Sequence, residues 1–434
     1  MSILFTNVTA VPMDGTRTVL QNAYVAVDGT TITAVGTVRP GGDFDRIIDG
    51  TGKVLLPGLI NAHTHLPMTL MRGYGGGCDL HTWLNQYIFP AEARLDSRAV
   101  AAGAGLGLAE MIASGVTCVA DMYMHTGTIA EQILEAGISA NLSCGGVYFG
   151  APEDFSPETC GDCRNQAALT EEWHGAGAGQ ILVDASVHGE YTSNPPLWRW
   201  MAEYAAEHRL GMHVHVSETQ SEHQASLERW GKTPIQALDG CGVWDCGRSL
   251  AAHCVYTTEE DWALMAEKGI SCVHNPWSNL KLGSGVAPIP AMMRAGVNVA
   301  LGTDGMSSHN SADLFSDIKL AAVLHNGVER DPMAVNAWAA LEMATVNGAR
   351  ALGRDTGVIA PGKTADLILV DLSAPNLIPC HDPVEDLVFS AHGSNVEMNM
   401  ARGQVIYEKG SFLTLDLERV RWEVEHYALP LIFG

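Results

Sequence analysis

The stretch Val54–Met68, VLLPGLINAHTHLPM, decides the fold. Its first half is an apolar run of strand length, and it leads to His63 and His65, one residue apart. On a strand, positions i and i+2 point to the same face, so both imidazoles can reach one cation. Neutral imidazole suits zinc, iron or nickel, with zinc–nitrogen bonds of about 2.0–2.1 Å. A lone HxH is equally compatible with two polar residues entering a loop. The rest of the chain has to decide.

Working outward, seven further apolar runs end in residues with useful chemistry. Gly115–Ala120 leads to Asp121, Ser139–Leu142 to Ser143 and Cys144, and Ile181–Val187 to His188. Gly211–Val216 carries His213 and His215 and leads to Glu218. Ser249–Ala252 leads to His253, Ile270–Val273 to His274 and Asn275, and Val297–Leu301 to Asp304. Helix-like stretches such as Ser97–Ser114, Thr126–Ala136 and Thr258–Lys268 lie between them. Short strands alternating with helices predict a (β/α)8 TIM-type barrel, whose functional groups gather at the C-terminal strand ends. A doubly wound sheet would spread those ends along an open edge and fits less well.

At 434 residues the chain exceeds a typical barrel of about 250 residues, so a second unit is expected. Ser2–Val11, Ala23–Gly29 and Thr31–Val38 read as short strands, and Ala365–Leu372, Asn395–Gly403 and Gln404–Gly410 resume that style near the other end. Each set alone is small for a core. One β-sandwich built from both termini is predicted: residues 1–56 and 365–434 flank a barrel over 57–364, with a terminal helix over Asp416–Tyr427.

The formal net charge of −24, from 25 basic and 49 acidic residues, argues against nucleic acid or an anionic membrane as partner. No apolar run reaches the roughly 18 residues of a membrane span, and the N-terminus lacks a basic, cleavable leader pattern. With ten cysteines, this predicts a reducing, cytoplasmic setting and free thiols. Cys160 and Cys163 form a CxxC with no second pair at zinc-site spacing, and read as a loop coincidence. Gly357–Thr364 matches GxxxxGK(S/T), but a helical stretch precedes it and a strand follows, the reverse of a phosphate-binding loop. It reads as the turn from barrel to sandwich.

A metal site can be assembled from His63 and His65 of strand 1, His215 of strand 5 and Asp304 of strand 8. Three nitrogens and one carboxylate oxygen leave room for water, as catalytic sites require. His213 shares the strand face of His215, so either could ligate. His215 is preferred because it lies nearer the strand end. No lysine occurs between Lys53 and Lys232, which leaves no strand-4 lysine to bridge two metals. One divalent ion is expected, Zn2+ first, with Fe2+, Ni2+ or Mn2+ as alternatives.

Together, Pro57–Gly73, His213–Thr219, Ala251–Tyr256, Cys272–Gly285, Val297–Asn310 and Gly357–Asp371 resemble the amidohydrolase superfamily. Within it the chain is similar to the 5′-methylthioadenosine/S-adenosylhomocysteine deaminases. The resemblance implies the same four ligands, with Glu218, His253 and Asp304 as catalytic residues. Glu218 would shuttle protons to a purine ring, and His253 would stabilise charge on the attacking oxygen. It further implies that Trp83, Glu92, His188 and Glu218 contact a nucleoside. Arg164, the only Lys or Arg between Arg98 and Arg199, resembles an arginine that meets the homocysteine carboxylate. The second arginine of that clamp is missing here, which favours methylthioadenosine, adenosine or 5′-deoxyadenosine over S-adenosylhomocysteine. His309 stands where these deaminases commonly carry asparagine. A homo-oligomer is expected. The rival readings are a guanine, pterin or triazine hydrolase on the same scaffold, and a catalytically silent assembly or regulatory protein.

Overall fold

The computed structural model describes residues 1–434. Barrel strands 1 to 7 span Leu59–His65, Val116–Met122, Ser139–Ser143, Ile181–Gly189, Gly211–Val216, Ser249–His253 and Ile270–His274. They pair in parallel, each with the next in sequence. Strands 1, 2 and 3 are buried at every residue, as expected where helices cover one face and a packed interior the other. Strand 8 is broken in two. Val299–Leu301 pairs with strand 7, and Asp304–Gly305 pairs with Thr64 and His65 of strand 1, which closes the barrel.

The apolar run Val54–Ile60, expected as one strand, is two. Lys53–Pro57 runs antiparallel to Leu367–Asp371, and strand 1 starts afresh at Leu59. The break falls at Pro57, which lacks an N–H, and at Gly58, where a Cβ would lie 2.3 Å from the Thr117 side chain. Both chain ends form one continuous nine-stranded sheet, in which Lys53–Pro57 joins the N-terminal strands to the C-terminal ones. Its two halves share a core that includes Phe5, Val25, Ile32, Leu367 and Met400. The opposite face of the C-terminal strands, through Ile368, Val370 and Ile406, joins the barrel core.

Two helical elements shape the site. Ser97–Ala113 is capped by Asp96, whose carboxylate accepts from the Ala99 N–H at 2.9 Å. Its glycines serve packing: a Cβ on Gly103 would lie 2.7 Å from the Pro67 carbonyl oxygen, in the turn that follows His65. A second helical segment, Leu80–Glu92, starts at Asp79, which accepts from the Thr82 N–H, and loosens to π geometry over Leu84–Ile88. Pro90, which has no N–H to donate, lies two residues beyond it, and such bulges gather at functional sites. The terminal helix, Leu417–Phe433, packs on Ser97–Ala113, so it belongs spatially with the barrel. No helix is long and apolar enough to cross a membrane.

Candidate metal and active site

At the C-terminal end of the barrel, three histidine Nε2 atoms and one carboxylate oxygen converge. His65 Nε2 lies 3.2 Å and His63 Nε2 3.5 Å from Asp304 Oδ1, and His215 Nε2 lies 3.3 Å from His65 Nε2. A tetrahedral ion with bonds of about 2.0–2.1 Å would set its ligands about 3.3 Å apart, so the spacing fits one ion. His63 Nε2 is buried without any hydrogen-bond partner, which is costly unless something binds it.

The opposite ring nitrogens are fixed. His65 Nδ1–H donates to the Met122 carbonyl and His215 Nδ1–H to the His188 carbonyl, both at 2.6 Å. His63 Nδ1 pairs with His213 Nε2 at 2.8 Å, and His213 Nδ1 faces Ser143 Oγ at 3.4 Å. This chain sets the His63 tautomer and aims Nε2 at the centre, an arrangement typical of metal-ligating histidines. His213 thus lies beneath the site, and it is His215 that reaches the cavity. Burial alone would raise Asp304, but His63 and His65 outweigh it and hold the carboxyl well below its usual range. Its Oδ2 accepts from Ser278 at 2.5 Å and Ser308 at 2.9 Å.

Glu218 and His253 stand beside this cluster. His253 Nε2 is 3.7 Å from Glu218 Oε2, and its Nδ1 is paired with Asn279 Oδ1 at 2.8 Å. His253 also lies close enough to His63 and His215 for all three to reach one ion. Burial lifts the Glu218 carboxyl above its ordinary range. Glu222 fixes the backbone there, accepting from the N–H groups of Ser217 at 2.8 Å and Glu218 at 2.7 Å. Asp304 and His253 both take positive φ, at 62° and 74°. Non-glycine residues held this way cost about 1–3 kcal/mol and cluster at functional sites.

The cluster opens into a cavity of about 450 Å³, within the usual range of roughly 300–1,000 Å³ for small-molecule sites. Trp83, Glu92, His188, Glu218 and His253 all line it. Trp83 Nε1–H donates to the Tyr74 carbonyl at 3.1 Å, and Glu92 Oε1 accepts from the Tyr123 hydroxyl at 2.6 Å. Arg164 does not line the cavity. It is exposed on the helix Gly161–Trp173 and donates to the Glu158 carbonyl at 2.9 Å, so the structure does not bring it to the site. His309 is also outside the lining: its Nε2 is paired with Asp317 at 2.8 Å. His274 is buried and paired with His325 at 3.0 Å, away from the cavity. Sequence reasoning missed Tyr123, Asn279 and Ser308. Asn279 and Ser308 sat inside motifs already singled out, and Tyr123 lies two residues beyond Asp121 at the end of strand 2.

The chain belongs to the amidohydrolase family, whose model matches residues 54–406. Among its relatives is a protein of Caldanaerobacter subterraneus subsp. tengcongensis named 5-methylthioadenosine/S-adenosylhomocysteine deaminase. It is 42% identical over 100% of this chain and 99% of its own length. A 5′-deoxyadenosine deaminase of Methanothermobacter thermautotrophicus is 39% identical, over 95% of each chain. An adenosine deaminase from Xanthomonas campestris, solved with bound zinc, superposes with a TM-score of 0.92 at 32% identity, covering 99% of this chain and 98% of its own.

Proposed function

We infer that the protein is a metal-dependent hydrolytic deaminase of adenosine-type nucleosides, releasing ammonia and the inosine analogue. One observation carries this reading: the cluster of His63, His65, His215 and Asp304 opens into a cavity that also holds a buried Glu218, its pKa raised by that burial, and Glu92. The full-length likeness to proteins named as deaminases of adenosine-type nucleosides supports it.

His63, His65, His215 and Asp304 would hold one divalent ion, with zinc favoured by the tetrahedral spacing. Bound there, the ion supplies Lewis acidity, lowering the pKa of water from 15.7 towards about 7. Asp304, kept anionic, accepts a proton from the attacking water. Glu218, whose pKa burial raises, donates its proton to ring N1, takes up the proton of the added hydroxyl and passes it to the departing amine, and the proton held by Asp304 then restores Glu218. His253, held by Asn279, hydrogen-bonds the oxygen being added. Trp83 supplies an apolar wall, and Glu92 accepts from the ribose hydroxyls in place of the Tyr123 hydroxyl. His188 faces the purine.

The deciding experiment is ammonia release by zinc-loaded protein from methylthioadenosine, 5′-deoxyadenosine, adenosine, guanine and melamine. Turnover confined to guanine or melamine would replace this reading with the rival heterocycle hydrolase, and no turnover at all would point to a silent relative.

A further inference from the structure

Away from the metal ligands, the cavity wall is acidic. Its carboxylates are Glu92, Asp162, Glu218 and Asp304, and no Lys or Arg lines it. Three of them have roles above. Asp162 has none.

Asp162 opens the helix Gly161–Trp173, which follows the long loop after barrel strand 3. Its Oδ2 accepts from the Val147 N–H at 2.8 Å, fixing the carboxylate beside Val147 and Phe149 on the cavity wall. Burial raises its pKa, the Val147 N–H and the Asn165 side chain act against that, and no Lys or Arg lines the cavity beside it. The catalytic groups come from strands 1, 5, 6 and 8, whereas Glu92 and Tyr123 belong to the strand 1 and strand 2 side. With the base at Glu218 and the diol at Glu92, the strand-3 loop, through Val147, Phe149 and Asp162, is part of the remaining wall available to the 5′ carbon.

We propose that Asp162 selects the 5′ end of the substrate, admitting neutral or cationic 5′ groups and rejecting anionic ones. The proposal rests on the nucleoside-deaminase reading above. Its physics is like-charge repulsion across a partly dehydrated wall, where screening by water is weakened. A methylthio or methyl group meets Val147 and Phe149 at no electrostatic cost, and an ammonium gains a carboxylate partner. A 5′-carboxylate has neither advantage.

The test measures kcat/KM with zinc-loaded protein at pH 7 for methylthioadenosine, 5′-amino-5′-deoxyadenosine and adenosine 5′-carboxylate, on wild type, Asp162→Asn and Asp162→Lys. Asparagine keeps an acceptor for the Val147 N–H, so the loop retains its anchor. In wild type the carboxylate should fall about tenfold or more below methylthioadenosine. The carboxylate-to-methylthio ratio should rise about tenfold in Asp162→Asn and further in Asp162→Lys, while the amino-to-methylthio ratio falls. A wild type that turns over the carboxylate as well as methylthioadenosine would overturn the proposal, with no variant needed. Ratios unmoved by either substitution would also overturn it. Failure to deaminate any of the three nucleosides would instead strike the deaminase reading.

Discussion

Glu218→Gln isolates the proton shuttle. Glutamine matches glutamate in shape and removes only its capacity to give and take a proton. The side chain is 7% exposed, so solvent has little access from which to replace it. His253 Nε2 is 3.7 Å from the carboxylate and already faces the same reacting region. General acid–base groups contribute about 10²–10⁴-fold, or roughly 3–5 kcal/mol of barrier at 1.36 kcal/mol per decade. Partial rescue by His253 sets the lower bound, so kcat for methylthioadenosine should fall by at least about 10²-fold. Because burial raises the Glu218 pKa, the wild-type enzyme loses its proton donor as pH climbs through that raised value. The alkaline limb of the kcat profile should therefore disappear in the variant. Stopped-time ammonia assays across pH, with elemental analysis of the same samples, make the measurement. A variant within tenfold of wild type would remove Glu218 from the mechanism, and one that lost its metal would make Glu218 a ligand.

Further outcomes follow from other parts of the molecule. Protein dialysed without chelator should hold one equivalent of divalent metal, and His63→Ala should hold far less; two tightly held ions in wild type would refute the single-ion site. Arg164→Ala should leave the ratio of kcat/KM between methylthioadenosine and S-adenosylhomocysteine within about twofold, since an exposed arginine outside the cavity contributes little. Burial lowers His325 to about 4, below the ordinary value near 6.5, so its stabilising contribution is present above pH 6.5 and lost as pH falls towards 4. Thermal melts across that window should therefore be shallower in pH dependence for His325→Gln. Gly103→Val should cost about 1–3 kcal/mol in denaturant melts, because its branches press on the Pro67 turn.

The barrel was legible because its strands obey a simple rule: a buried parallel strand is apolar along its length and becomes polar where it meets the site. That rule located His63, His65, His215, His253 and Asp304 without any three-dimensional information. It failed where one apolar run served two layers. Val54–Ile60 has no polar residue to mark the division, and only the proline and glycine at its centre hint at a change of sheet. Orienting groups were also hidden. His213 and His215 share a strand face, and position along the strand favoured His215; that His213 orients His63 is a cross-strand contact, which periodicity does not encode. The expectation for Arg164 rested on a resemblance to a carboxylate-binding arginine and on the scarcity of cations along the chain. Scarcity says nothing about direction, and the helix Gly161–Trp173 turns Asp162 towards the cavity while Arg164 stays exposed.

The broken eighth strand gives the barrel a seam, and the seam runs through the active centre. The backbone ladder between the last strand and the first is Asp304 and Gly305 opposite Thr64 and His65, beside the Asn61 side chain bonded to Thr303. Residues about 240 positions apart in the chain are thus held in register by the shortest ladder in the ring, beside a strained Asp304 backbone. Fraying at this point would separate Asp304 from His63 and His65 before the other strands part. Heat inactivation should accordingly precede loss of secondary structure, and a folding intermediate with seven strands docked would be compact yet inert.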